Sequence, residues 1–369
     1  MIDRLARYVA IPSVSRAEGP LADAITADLA AAGLTVQRRG HNLWCTAGDR
    51  PRPRLLLNSH LDTVPPGQGW SQDPWQPRLH DGCLSGLGAN DAKGCVVALL
   101  EAFLRLHADL RAGRSLGGTL VLALTAEEEI SGQGLGVVLP QLQPLDAALV
   151  GEPTGLVPMT AQRGLLVVRG RARGRTAHPA NTPPDTADNA IMAAARDLLA
   201  LRDFDWGPTH PLLGRCHAHV TRIEGGVANN VIPDVCEFTL DIRTTPCEPH
   251  AALLARLRSA LRSELSVHSD RLVPVETPAD APLVQAVRRA LPDAAPAGSP
   301  TMSDMVFLTG VPAVKLGPGQ SARSHTPDEY LLERELLAGA DAYERIARAF
   351  FGGAAESAAA QLNTAEARP

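Results

Sequence analysis

Short, strongly apolar runs alternate with amphipathic segments through the N-terminal part of the chain. The apolar runs, each short enough for one strand, are "RPRLLLNSHLD", "GGTLVLALTAEEE" and "LDAALVGEPT". Helical spacing is found in the segments "LADAITADLAAAGL" and "NDAKGCVVALLEAFLRLHADL". Uniformly apolar strands separated by helices are typical of a mostly parallel sheet that is covered on both faces. The pattern therefore predicts an α/β fold with a central, mostly parallel sheet and helices on both faces.

The pattern changes near Gly164, where "GLLVVRGRARGRTAH" alternates apolar with basic residues. Such alternation predicts a strand with one exposed face. A helix, two strands and a second helix are predicted after it, and this β-α-β-β-α run ends near "LVPVETP". An inserted α+β domain is therefore predicted within the α/β domain.

The predicted domain boundaries follow from these changes of pattern. The catalytic domain is predicted at 1–163 and 277–351, and the inserted domain at 164–276. The last segment, 352–369, has few apolar side chains to bury and is predicted to be a disordered tail.

Composition narrows the class of protein. The 369 residues are 45% hydrophobic and 20% charged, which is typical of a soluble globular chain. The net charge of −5 argues against a nucleic-acid partner or an acidic membrane surface, since both require a basic face. No apolar run is long enough to span a membrane, and the N-terminal segment lacks the pattern of a signal peptide. With six cysteines in no regular framework, these features predict a cytoplasmic protein with reduced thiols.

Acidic and imidazole side chains follow the predicted strands at the point where each strand ends. Taken singly, each has a simpler explanation, such as a core histidine, a helix-capping aspartate or solvated glutamates at a helix start. Open α/β sheets bind their ligands at the carboxyl ends of the strands, so the joint pattern favours one shared site. The candidates are His60, Asp62, Asp91, Glu127, Glu128, Glu152 and, after a Gly-Pro-Gly turn, His325.

The residue types at these positions suit a pair of divalent cations. Two metal ions about 3.5–4 Å apart need terminal ligands on each side and one shared ligand. Two histidines and three carboxylates meet this count, and mixed ligation of this kind suits Zn²⁺, Co²⁺ or Mn²⁺. One further acid must stay free to accept a proton, and two adjacent glutamates would supply a ligand and a base. A second histidine pair, His217 and His219, has no carboxylate in its motif and is interpreted as exposed strand residues.

Five motifs of the chain resemble the acetylornithine deacetylase / succinyl-diaminopimelate desuccinylase family, and the resemblance extends from Ile11 to Ala349. In chain order, the motifs are "SHLDTVP", "GLGANDAKG", "TAEEEISG", "GEPT" and "SHTPDE". The members of this family are dinuclear metal amidohydrolases related to aminoacylases and carboxypeptidases. The resemblance implies a hydrolase with two Zn²⁺ or Co²⁺ ions per subunit.

The resemblance also implies a role for each residue of the site. The implied metal ligands are His60, Asp91 as the bridge, Glu128, Glu152 and His325. Glu127 would be the general base, and Asp62 would orient His60. The peptide bond between Asp91 and Ala92 would be cis.

Three motifs of the insertion match the lid and dimerisation domain of the same family, and they carry His178, Asn230 and Arg243. The resemblance implies a homodimer in which His178 reaches the active site of the neighbouring subunit. Asn230 and Arg243 would contact the substrate, the arginine through a forked pair of hydrogen bonds to its α-carboxylate. A loop position for His178 and a surface position for Arg243 remain the simpler alternatives.

The substrate implied is a small N-acyl amino acid, with N-acetylornithine first. Met302 stands where the desuccinylase branch has threonine, which argues against diaminopimelate. N-acetylcitrulline, N-succinylornithine, lysine or ornithine held on a carrier protein, and dipeptides share the same metal ligands and stay open. A non-catalytic scaffold is the alternative from another class, and the intact motif positions argue against it.

Overall fold

The computed structural model describes the backbone of residues 1–130, 132 and 134–366, and the side chains of this part as far as 353. Its chain forms two compact units. The first contains Met1–Thr160, Thr277–Ala297 and the chain from Ser303 onward. The second contains Ala161–Glu276 and Gly298–Met302. The second unit thus begins three residues before Gly164, the predicted start of the insertion, and gains a short later segment.

Both units combine helices with strands. The α-helices are α1 (Ile2–Val9), α2 (Gly19–Ala31), α3 (Lys93–Arg111), α4 (Leu135–Leu142), α5 (Ala190–Ala200), α6 (His250–Ala260), α7 (Pro282–Ala290) and α8 (Glu333–Glu366). The strands are β1 (Gln37–Arg39), β2 (Asn42–Gly48), β3 (Arg54–His60), β4 (Arg78–His80), β5 (Cys83–Ser85), β6 (Thr119–Thr125), β7 (Ala147–Gly151), β8 (Met159–Gln162), β9 (Gly164–Arg173), β10 (His217–Gly225), β11 (Val235–Thr244), β12 (Glu264–Leu272), β13 (Val275–Glu276), β14 (Ala297–Ser299), β15 (Ala313–Leu316) and β16 (Tyr330–Leu332).

The first unit is built on a sheet in the order β1-β2-β6-β3-β7-β15-β8. The four inner strands, β6, β3, β7 and β15, are parallel to one another, and the flanking strands are antiparallel. The inner strands are buried almost throughout, since helices cover both faces of such a sheet. Each fully buried leucine, such as Leu57, Leu122 or Leu149, stabilises the fold by about 1.5–3 kcal/mol. The predicted α/β fold with a mostly parallel central sheet is confirmed.

The carboxyl ends of the inner strands lie side by side because the strands are parallel. β3 ends at His60, β6 at Thr125, β7 at Gly151 and β15 at Leu316. The loops that follow these strands carry most of the candidate side chains. α3 begins at Lys93, directly after a turn that carries another candidate, and its first half is buried among apolar side chains.

The second unit is an antiparallel sheet in the order β10-β11-β9-β12, with α5 and α6 completing a β-α-β-β-α-β sequence. One face of β9 is buried and the other exposes Arg169, Arg171 and Arg173, as the alternating pattern predicts. Gly170 faces the ring of Phe238 so closely that a Cβ there would overlap it. The glycine therefore lets the largest core side chain of this sheet lie flat against β9.

The last helix extends into the segment predicted to be a disordered tail. α8 continues to Glu366, whereas disorder was predicted for 352–369. This segment is rich in alanine, which has the highest helix propensity, so a helix can form there without an apolar face to bury. Its side chains from 354 onward and the residues 367–369 lie outside the described part of the chain. Among the described residues, no helix combines the length and apolar character that a membrane crossing requires.

Candidate metal centre

His60, the last residue of β3, has a buried ring with two distinct sides. On one side, Nδ1 donates to the Asp62 carbonyl oxygen at 3.0 Å and lies 3.4 Å from Asp62 Oδ1. On the other side, Nε2 lies 3.2 Å from Asp91 Oδ1 and 3.8 Å from Glu152 Oε1. A histidine whose Nδ1–H is held in this way presents Nε2 as a metal ligand. Asp62 therefore contacts the Nδ1 side of His60, which is the position that the resemblance implies for an orienting residue.

The protonation of His60 reflects the acids around it. Burial by itself lowers the pKa of the imidazole, but hydrogen bonds to Asp62 and Asp91 outweigh it and raise the pKa well above its usual value. A proton on Nε2 would offset the negative charge of the surrounding carboxylates. A divalent cation would take the place of that proton.

Asp91 lies between the two histidines of the site. Its Oδ1 faces His60, while its Oδ2 lies 3.8 Å from His325 Nε2. The backbone N–H groups of Asn90 and Asp91 both donate to Glu329 Oε1 at 2.8 Å, which fixes the turn. The peptide bond between Asp91 and Ala92 is cis, as the resemblance implies. One carboxylate oxygen toward each histidine is the arrangement of a bridging ligand.

The carboxylate next to His325 belongs to Glu129. Glu129 Oε1 lies 2.9 Å from His325 Nε2, and this contact raises the pKa of the histidine to about 9. One ligand atom each from His60, Asp91 and Glu129 lie within 4.8 Å of one another. The sequence motif assigned this ligand position to Glu128. The geometry instead brings Glu129 to the position of the second-metal carboxylate.

Glu127 contacts Arg16 and Glu18 and is not part of the cluster of His60, Asp91 and Glu129. Its φ of 57° is left-handed, its N–H donates to Glu18 Oε1 at 3.0 Å, and its Oε2 lies 3.7 Å from Arg16 Nε. Arg16 is itself largely exposed, with 76% of its side chain accessible. The left-handed φ of Glu127 departs from the regular strand geometry of β6, which ends at Thr125. The resemblance implies Glu127 as the base and Glu128 as the ligand, whereas the glutamate that contacts His325 is Glu129, one residue after Glu128.

Glu128 and Glu152 are two further carboxylates whose charges act on His60. Loss of hydration and the nearby charge of Glu152 raise the pKa of Glu128 well above its usual value. Burial raises the pKa of Glu152 to about 7, although Lys315 opposes the shift. Two carboxylates with raised pKa values beside an imidazole indicate a site that lacks positive charge.

Two further acids contribute to the centre and were assigned no role from the sequence. Glu329 holds the turn that carries Asp91, and burial raises its pKa to about 7. Asp304 is buried and accepts hydrogen bonds from Thr125 Oγ1 at 2.6 Å and Asn58 Nδ2 at 3.4 Å. Burial raises the pKa of Asp304 to about 6. Glu329 ends the "SHTPDE" motif and Asp304 follows Met302 by two residues, but neither position signals a supporting role in the sequence.

The three candidates of the insertion all lie in the second unit. His178 Nδ1 accepts the Ala180 N–H at 3.1 Å, so a neutral ring carries its proton on an exposed Nε2. Asn230 is exposed in the turn before β11. The guanidinium of Arg243, on β11, is forked onto Asp241, with Nε–Oδ1 and Nη2–Oδ2 distances of 2.7 and 3.1 Å. A substrate carboxylate would have to share or displace this pair.

The donor set fits two divalent cations. On one side of Asp91 lie an imidazole nitrogen of His60 and a carboxylate of Glu152. On the other side lie the corresponding groups of His325 and Glu129. Each side thus offers one imidazole and one carboxylate, and Asp91 is shared, which is ligation typical of Zn²⁺ or Co²⁺.

A family model described as peptidase family M20/M25/M40 matches residues 56–349, well over half of the chain. The chain belongs to peptidase family M20/M25/M40. Membership confirms the family resemblance seen in the motifs and makes the chain a metal-dependent hydrolase.

Relatives of this M20 chain include an acetylornithine deacetylase of Myxococcus xanthus, 31% identical, with 95% of this chain and 97% of the relative covered. A succinyl-diaminopimelate desuccinylase of Stenotrophomonas maltophilia (strain R551-3) is 29% identical, with 94% and 98% covered. Among solved structures, a Bacillus subtilis protein described as a dinuclear metal-binding peptidase of the M20 family superposes with a TM-score of 0.74. It is 17% identical and is covered over 96% of its length, against 94% of this chain. At this identity the structural likeness shows the fold.

Metal removal is expected to lower the stability of this M20 chain. Without cations, the clustered carboxylates keep their repulsion, whereas a cation at 100 times its Kd stabilises the fold by about 2.7 kcal/mol. This corresponds to a rise in Tm of about 3–4 °C when Zn²⁺ is added to the chelated protein. Thermal denaturation with a chelator and after Zn²⁺ addition measures the shift.

The control for this shift is a histidine outside the centre. His80 is exposed and lies 3.3 Å from Asp81, so His80→Ala should keep the full Zn²⁺-dependent shift. His60→Ala should lose most of it. Equal shifts in both variants would place the stabilising cation elsewhere.

Proposed function

We propose that the chain hydrolyses the amide bond of an N-acyl amino acid at a dinuclear metal centre, with N-acetylornithine as the first substrate. The observation that carries this proposal is the bridging position of Asp91, whose two oxygens face His60 and His325. The acetylornithine deacetylase and the desuccinylase among the relatives support an N-acyl amino acid as the substrate class.

The centre would be held by His60, Glu152, Asp91, Glu129 and His325. Two divalent cations bound there would polarise the scissile carbonyl and make a water molecule more acidic. Glu128 accepts the proton of the attacking water and returns it to the leaving amine. Burial and the nearby charge of Glu152 raise the pKa of Glu128, which favours uptake of a proton from the attacking water.

The carboxylate of Asp62 accepts hydrogen bonds from the backbone of both Glu128 and Glu129. Asp62 Oδ1 accepts the Glu128 N–H at 3.0 Å, and Oδ2 accepts the Glu129 N–H at 3.1 Å. The same carboxylate orients His60. A single buried side chain therefore ties the base, one metal ligand and a histidine ligand together.

The insertion supplies the groups proposed to bind the acyl amino acid. An Nε2–H of His178 can donate to the oxyanion that develops on the carbonyl oxygen. Arg243 is the candidate for the α-carboxylate once its pair with Asp241 opens, and the exposed Asn230 is the candidate for a further substrate contact. The exposed apolar side chains of this unit, among them Met192 and Leu199 at 60% exposure, support pairing with a second copy.

Complementation between two inactive variants tests whether His178 acts across such a dimer. His178→Ala and Glu128→Gln are each expected to be nearly inactive. After subunit exchange at equal amounts, half of the dimers carry one copy of each, and one site in each of these is complete. Activity is therefore expected to recover to about a quarter of the wild-type value. No recovery in a mixture that exchanges subunits would mean that His178 acts within its own subunit or not at all.

The substrate is tested by initial rates of the metal-replete enzyme on a panel. The panel contains N-acetylornithine, N-acetylcitrulline, N-succinylornithine, N-succinyl-diaminopimelate and dipeptides. N-acetylornithine is expected to have the highest kcat/KM. A higher value for a dipeptide would replace the proposed substrate class, and turnover of none of these compounds would overturn the proposed function.

A further inference from the structure

Four consecutive backbone N–H groups in the loop after β6 each donate to a side-chain oxygen. The pairs are Ala126 with Asn42 Oδ1 at 2.9 Å, Glu127 with Glu18 Oε1 at 3.0 Å, Glu128 with Asp62 Oδ1 at 3.0 Å and Glu129 with Asp62 Oδ2 at 3.1 Å. The acceptors come from three separate parts of the chain. The part of the loop that carries the proposed base and a proposed metal ligand is thus held by side chains at four consecutive residues.

Glu18 has an unusual position for a carboxylate. It is completely buried at the N-terminus of α2, yet it makes no capping hydrogen bond to that helix. Its Oε1 accepts the N–H groups of Arg16 at 2.9 Å and Glu127 at 3.0 Å. Its Oε2 has no hydrogen-bond partner among the described residues. A buried carboxylate with one unsatisfied oxygen costs stability, so its presence here favours a role in function.

The segment around Glu18 also contacts the residues that follow β3. Ser15 Oγ donates to Asp62 Oδ2 at 2.7 Å, and Ser13 Oγ donates to the Leu61 carbonyl at 2.8 Å. The "SVSRAE" segment therefore contacts both Asp62 and the loop held by Asp62. None of its side chains belongs to the ligand cluster.

We propose that Glu18 is a positioning residue of the hydrolase: its carboxylate holds the Glu127 N–H and thereby directs Glu128 and Glu129 to the metal centre. The left-handed φ of Glu127 is rare for a residue with a side chain and has to be stabilised by its surroundings. Glu18 supplies that stabilisation because its buried Oε1 accepts the Glu127 N–H. The proposal rests on the proposed function, because it takes Glu128 as the base.

Two substitutions of Glu18 distinguish the effect of its side-chain length from the effect of its charge. Glu18→Gln keeps the length and an oxygen that can accept both N–H groups. Glu18→Asp keeps the charge at the start of α2 but shortens the side chain by one methylene. If position is what matters, Glu18→Asp lowers kcat by about 10–100-fold with little change in KM, as loss of an outer support of a metal site does. Glu18→Gln should stay within about threefold of the wild type, since both hydrogen bonds can form.

Hydrogen exchange gives a readout independent of turnover. In the metal-replete protein, the amide of Glu127 is expected to exchange at least about tenfold faster in Glu18→Asp than in the wild type or in Glu18→Gln. The matched control is Asp49→Ala at the opposite end of β6. Asp49 Oδ1 likewise accepts two consecutive N–H groups, those of Gly117 at 3.1 Å and Gly118 at 3.3 Å. Asp49→Ala should leave kcat and the exchange of Glu127 unchanged.

Wild-type kcat in Glu18→Asp, or equal loss in Glu18→Gln and Glu18→Asp, would overturn the proposal. So would unchanged exchange at Glu127 in Glu18→Asp. The assay also includes Glu128→Gln, so the two proposals fail separately. An active Glu128→Gln enzyme removes the proposed base, whereas the exchange of Glu127 still reports whether Glu18 holds the loop.

Discussion

Glu128→Gln is expected to lower kcat by about 10²–10⁴-fold, the range that a general acid–base group contributes. Glutamine has the same shape, but its amide cannot take a proton from water or pass one to the leaving amine. The barrier therefore rises by about 3–5 kcal/mol. The metal content should stay at the wild-type value, because Glu128 lies outside the cluster of His60, Asp91 and Glu129. Steady-state kinetics on N-acetylornithine and metal analysis of the same preparation measure both quantities.

Glu127→Gln is the matched control for this prediction, since the two residues are neighbours of one type. Glu127 turns to Arg16, an exposed residue, and such ion pairs contribute only about 0–1 kcal/mol. The hydrogen bond from the Glu127 N–H to Glu18 is kept in this variant, because it involves the backbone of Glu127. Glu127→Gln is therefore expected to keep kcat within about threefold of the wild type. Loss of activity in Glu127→Gln with an active Glu128→Gln would restore the assignment made from the sequence.

The positions of the proposed ligands His60, Asp91 and Glu152 follow from the sequence because they depend on regular structure. His60 and Glu152 come directly at or after apolar strands, and parallel neighbouring strands must end at the same edge of a sheet. Asp91 precedes a helix that packs under the same sheet. These placements need only the strand and helix patterns, which are strong in this chain.

The roles of the three consecutive glutamates do not follow from the pattern. Alternation predicts the direction of a side chain only while the strand continues, and β6 ends at Thr125. Glu127 then has a left-handed φ, and the sequence has no glycine at this position that would predict such a turn. Gly132 is an indirect sign, because a Cβ there would collide with the Glu127 side chain. Three identical acids offer no difference in residue type that could reveal the shift.

The contacts of Glu329 and Glu18 with the loops of the site could not be predicted from the sequence either, for a different reason. Glu329 reaches Asp91, and Glu18 reaches Glu127, across more than 100 residues in each case. Neither residue is preceded by a strand that would aim it at the centre. Their contacts depend on the packing of separate segments, which periodicity does not encode.

Glu129→Ala is expected to remove one of two tightly bound metal ions. Glu129 Oε1 lies 2.9 Å from His325 Nε2 and faces the Oδ2 side of Asp91, so the alanine leaves that side without a terminal carboxylate. The side formed by His60 and Glu152 keeps its ligands. Metal analysis after gel filtration should give about two ions per chain in the wild type and about one in Glu129→Ala. Turnover should fall by at least about 10²-fold, because one cation cannot replace the pair.

His325→Ala provides the independent check on this side of the centre, and Glu128→Gln provides the control. His325→Ala should lose the same ion as Glu129→Ala, and the double variant should lose no more than either single one, since both residues serve one cation. Glu128→Gln should keep both ions. Two tightly bound ions in Glu129→Ala, together with one in Glu128→Gln, would return Glu128 to the ligand position and make the contact of Glu129 with His325 a property of the metal-free protein alone. The number of metal ions per chain therefore decides which of the two neighbouring residues, Glu128 or Glu129, is the metal ligand.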